Sequence, residues 1–88
     1  MSDLEYDVLD ELYFIQSFKD LKGTLQWDDS MLRSTIERLF SKDWIRCYLS
    51  PTEEIFLEDI DIETQYHKYY YMASKNGLFA HNSSDQNE

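Results

Sequence analysis

Basic residues are scarce in this chain: eight Lys and Arg stand against eighteen Asp and Glu, for a formal net charge of −10 at neutral pH. As a whole the chain repels nucleic acid and anionic membrane, so binding to a free polyanion starts at a disadvantage. Cysteine is scarcer still. Cys47 alone closes no intrachain disulfide and lacks companions for a structural zinc site, which takes about four Cys or His ligands. A reduced, cytoplasmic setting is therefore expected. Two Gly and one Pro exclude collagen-like, linker-like and small turn-built scaffolds. Long apolar runs are missing too: Tyr13-Phe14-Ile15 and the stretch from Tyr69 to Ala73 fall far short of the roughly 20 residues that span a bilayer. No membrane partner is expected. Residues 1–7 are acidic where a targeting leader is basic and then apolar, so they are read as part of the mature chain.

What remains is 88 residues, 42% apolar and 16% aromatic, enough for one compact core and one domain. That domain is expected over residues 1–81. The stretch 82–88 has no apolar residue and is expected to be a disordered polar tail.

Ser2-Asp3-Leu4-Glu5 matches a helix capping box, and Leu4, Val8, Leu12 and Ile15 follow at helical spacing, predicting a first helix over 3–17. Ser17 to Asp20 can cap a short second helix with Leu21 and Leu25 on its buried side, weakened by Gly23. Asp28, Asp29 and Ser30 supply cap oxygens and negative charge for a third helix. Its apolar stripe is Leu32, Ile36, Leu39 and Phe40, and it should stop near Asp43 in a left-handed conformation. Residues 44–49 and 66–72 are rich in aromatic and β-branched side chains and predict two antiparallel strands. Between them, 50–65 is read as an extended hairpin with one helical turn after Pro51, and Asn76-Gly77 as a turn.

Leu39-Phe40-Ser41-Lys42-Asp43-Trp44-Ile45-Arg46 resembles the end of the recognition helix in the winged helix-turn-helix family, with Asp43 where Gly is usual. Tyr70 to Leu78 is similar to that family's last wing strand, passing through a basic residue to Gly77. The resemblance covers roughly residues 4–80 and implies an α+β fold: three helices, then a two-stranded antiparallel wing hairpin.

In that family the third helix commonly lies in the DNA major groove. The resemblance thus implies a reading face of Ser30, Ser34, Glu37, Arg38 and Ser41, flanked by Arg33 and Lys42, with hydroxyls and an Arg suited to phosphates and guanine edges. A solvated polar helix face is the plain alternative. The wing opposes DNA. Residues 50–65 carry Glu53, Glu54, Glu58, Asp59, Asp61 and Glu63 and no Lys or Arg, so no counterion release offsets the repulsion from phosphate.

A protein partner, or a second copy of the chain, fits this charge better. Alternation along a strand sends either Tyr69 and Tyr71, or Tyr66 and Tyr70, to the outer face, and with Phe56 these form the candidate protein interface. The expected role is a self-associating protein-interaction or regulatory adaptor. A DNA-binding transcriptional regulator is the second reading, and a DNA-mimicking inhibitor the third. Catalysis has little support: His67 and His81 stand apart from any recurring constellation, Cys47 reads as a core residue, and no cofactor or metal site is expected.

Overall fold

The computed structural model describes residues 1–85, with side chains through Ser83. Ser2 caps α1 (Asp3–Glu11): its hydroxyl accepts from the Glu5 N–H at 3.2 Å while the Glu5 carboxylate accepts from the Ser2 N–H at 3.0 Å. The helix ends well before the expected residue 17. The Leu12 carbonyl accepts from Ala73 N–H at 2.8 Å, and Gln16–Ser17 form β1, opposite Tyr71 and Tyr70. The β-prone run Tyr13-Phe14-Ile15 leads into that pairing, which overrides the helical spacing of Ile15. Ser17 then caps α2 (Phe18–Leu25), accepting from Asp20 N–H at 3.0 Å.

Asp28 caps α3 (Asp29–Ser41) by accepting from Met31 N–H at 2.8 Å, and Leu32, Ile36 and Leu39 are fully buried. The helix closes as expected. Asp43 takes φ 59°, Trp44 N–H donates to the Leu39 carbonyl and Asp43 N–H to Phe40, the bond pair of a Schellman motif.

The sheet contains β2 (Ile45–Ser50), β3 (Glu53–Glu54) and β4 (Tyr70–Ala73), ordered β1-β4-β2-β3 and antiparallel throughout. Ile45 faces Ala73 and Cys47 faces Tyr71, which turns all four side chains into the core; Arg46, Tyr48, Tyr70 and Met72 take the opposite face. The predicted strand 66–72 is thus shorter, because Tyr66–Lys68 form a 3-10 turn.

Residues 50–65 are not the extended hairpin predicted. After the two-residue β3 the chain makes a 3-10 turn at Leu57–Asp59 and the short helix α4 (Ile62–Gln65), capped by Asp61. The physical reason is burial: Ile62 joins the core and Ile55, Ile60 and Tyr66 pack against it, which a hairpin projecting into solvent would forbid. Tyr69 fixes the fold-back, its hydroxyl accepting from Asp61 N–H at 3.0 Å.

Asn76-Gly77 is likewise no turn but the first turn of α5 (Lys75–Asp85). Ser74 accepts from Gly77 N–H at 3.1 Å and donates to the Asp43 carbonyl at 2.7 Å, so the helix starts against the end of α3. The tail expected to be disordered from Asn82 is therefore helical to Asp85; residues 86–88 lie outside the described residues. Among the described residues, five α-helices and a four-stranded antiparallel sheet make an α+β fold, and no helix is long and apolar enough to cross a membrane.

Candidate functional site

The outward face of α3 carries the polar side chains that the sequence singles out, and most are engaged within the chain. Ser30 is exposed in the first turn. Arg33 lies 3.3 Å from Glu37, within ion-pair range but off hydrogen-bond geometry, and its guanidinium sits 5.8 Å over the Tyr66 ring. Arg38 donates to the hydroxyls of Ser34 at 3.1 Å and Thr35 at 3.2 Å, and Ser41 donates to the Arg38 carbonyl at 2.8 Å. Lys42 donates to Glu5 at 2.6 Å and lies 4.7 Å over the Trp44 ring. Glu5 is only 3% exposed. Its burial opposes ionisation, but the Lys42 ammonium and the Ser2 hydrogen bonds outweigh that and hold the carboxyl at about 2.

The tyrosines divide differently from a simple strand. Tyr71 and Tyr69 are in the core, Tyr71 donating to the Tyr66 carbonyl at 2.7 Å, so neither is presented to a partner. Tyr66 is half-buried, edge-on to Phe18 at 4.9 Å, and Tyr70 is half-buried on the other sheet face. Phe56 is the exposed member of the predicted interface set, at 77%.

Phe56 belongs to a groove that sequence patterns do not reveal, a cavity of about 370 Å³ between the end of α3, β2 and the segment 54–60. Ile45 and Cys47 form its floor, Phe40, Ile55 and Ile60 its walls, and Phe56 and Leu57 its exposed rim. Asp43 and the Arg46–Glu54 pair, at 3.0 Å, complete the lining. Burial, and then the Glu54 charge, push the Cys47 thiol up to about 12, which makes it a poor nucleophile. The same two causes raise Tyr48, with Arg46 acting against them. The one cue in the sequence was the interleaving of Ile55, Phe56, Leu57 and Ile60 with acids.

His81 is the second feature not read from the sequence. It is buried between α5 and α1, stacked on Tyr6 at 4.2 Å, with Nδ1 2.8 Å from the Tyr13 hydroxyl and Nε2 3.3 Å from Asp10. Its spacing of three from Leu78 was the available helical signal. His67 is exposed and edge-on to Tyr66. Among the described residues no three metal-ligating side chains converge. No protein-family model, curated protein or solved structure matches this chain.

Proposed function

We propose that this chain is a winged-helix protein that works as a protein-interaction or regulatory adaptor rather than as a reader of DNA. The order α1, β1, α2, α3, β2, acidic excursion, β4 supports the winged-helix reading, as does β1 lying along the outer side of β4. Only residues 26–28 separate α2 from α3, a turn of helix-turn-helix length.

The observation that carries the functional reading is the occupation of the cations around α3. Arg33, Lys42 and Arg46 each have an intrachain carboxylate, and α4, with Asp61 and Glu63 at its start, packs on α3. Bringing phosphate to this face means breaking those pairs or adding repulsion, and affinity for a duplex scales with the cations delivered to it. One observation favours the DNA reading: Arg38 is exposed and held by hydroxyls, with no carboxylate pair among the described residues.

Fluorescence anisotropy with labelled duplex DNA at about 0.1 M salt separates the two. No binding is expected up to roughly 10 µM protein, where even non-specific binding by a basic protein begins to register. Sub-micromolar binding that is lost on Arg38→Ala overturns the adaptor reading.

A further inference from the structure

In the groove beside β2, exposed apolar side chains and a cavity coincide. Phe56 and Leu57 are 77% and 71% exposed, adjacent in sequence, and both line the 370 Å³ space. Single apolar residues on a surface are ordinary; a contiguous pair over a cavity with a buried apolar floor is the anatomy of an interaction site.

The chemistry of the lining narrows the occupant. A small-molecule site fixes its ligand with a few placed polar groups. Here the buried polar side-chain atoms without a hydrogen-bond partner are, among the described residues, Arg33 Nε and His81 Nε2, and neither lines the groove. Recognition is left to apolar shape and rim charge. Glu53, Glu54, Glu58, Asp59 and Asp61 flank the exposed pair in sequence and are themselves exposed, and residues 50–65 contain no Lys or Arg. Arg46 is taken by Glu54, and Asp43 accepts from the uncharged Asn76. Asp43 and Glu54 against Arg46 leave the groove's lining with an excess of negative charge.

We propose that this groove binds a basic amphipathic helix of another protein, its apolar face on Phe56 and Leu57 and its Lys or Arg side chains against the carboxylates of 53–61. A negative rim selects a positive partner. A second copy brings the same acids, and a two-fold contact through this patch sets carboxylate against carboxylate. A strand is the wrong shape, because the adjoining edge strand β3 has two residues and offers almost no backbone to pair with. The proposal rests on the adaptor reading and supplies its partner chemistry.

The test titrates the full chain with a synthetic helical peptide of about 14 residues, Leu at i, i+3, i+4 and i+7 and Lys elsewhere. Its counterpart with Glu for Lys, and a scramble of the Lys peptide without an apolar face, serve as controls. The Lys peptide is expected to bind, shifting amide resonances of residues 40–47 and 54–60. Phe56→Ser combined with Leu57→Ser weakens it by about tenfold or more, and raising salt from about 0.05 to 0.3 M weakens it severalfold. Both side chains are exposed, so the double variant keeps its fold, which circular dichroism checks. Failure of the Lys peptide to bind, equal binding of the scramble or the Glu peptide, or indifference to the double variant overturns the groove proposal. A dimer dissociated by the double variant also overturns it, assigning the patch to a second copy. None of these outcomes touches the DNA measurement, which tests the adaptor reading against the DNA reading.

Discussion

At the scale of single residues, Glu5 and Cys47 show burial acting on ionisable groups with opposite results. Glu5 is ringed by donors, so its carboxyl sits at about 2 against an ordinary 4.5. A carboxyl depressed in the folded state contributes stability that is complete above the unfolded value and lost as pH falls through the folded one. The acid limb attributable to Glu5 therefore lies between about pH 4.5 and 2. Glu5→Gln, followed by urea unfolding across that range, is expected to cost about 2–4 kcal/mol at neutral pH and to flatten the limb. At Cys47 the Glu54 charge adds to burial instead of opposing it, so the thiol is raised to about 12. At pH 8 a thiol reagent should leave native Cys47 unmodified and react as fast as the chain unfolds, a rate difference that absorbance reads directly. Ser2-x-x-Glu5 was legible as a capping box; that Glu5 also reaches Lys42 was not, because the pair spans 37 positions and depends on how α1 meets α3.

At the scale of elements, the two glycines make opposite predictions. Gly23 lies in α2 with nothing within 4 Å of where a Cβ would stand and with φ negative, so Gly23→Ala should stabilise by about 0.5–1 kcal/mol through lower chain entropy. A Cβ on Gly77 would lie 2.0 Å from the Trp44 carbonyl oxygen, backbone that cannot step aside without moving α5. Gly77→Ala should cost roughly 3 kcal/mol or more, measured by the same urea midpoints. In sequence Asn76-Gly77 signals a turn; in the fold the glycine serves close packing of helix on backbone instead. Helices with strong local signals were readable: caps at Ser2, Ser17 and Asp28, the stripe of α3 and the left-handed Asp43 are all properties of neighbours in sequence. The end of α1 and the path of 50–65 were not, because β1 forms only by meeting β4, and Ile55, Ile60 and Ile62 turn inward only where the core receives them.

At the scale of the whole molecule, charge dominates. The described fold measures 36 × 26 × 20 Å, while the Debye length is about 30 Å in 0.01 M salt and about 8 Å at 0.15 M. In dilute buffer nearly every carboxylate feels every other; near physiological salt only neighbours interact. With a net charge of −10, screening relieves more repulsion than it removes attraction from the exposed Lys22–Asp29, Arg33–Glu37 and Arg46–Glu54 pairs, while the Lys42–Glu5 pair, with its carboxylate buried, is screened less. Raising NaCl across that range is expected to increase unfolding free energy by roughly 1 kcal/mol, read from urea curves; a decrease would mean the pairs outweigh the net field. That net charge, the lack of basic residues in 50–65 and the caps of α1, α2 and α3 are fixed by composition and by contacts between near neighbours, so the amino-acid string alone determined them. Tertiary structure alone decided which tyrosines face inward, that Lys42 is already held by Glu5, and that Phe56 and Leu57 stand over a groove. Each of these depends on distances between residues far apart in the chain, which only the packed core sets.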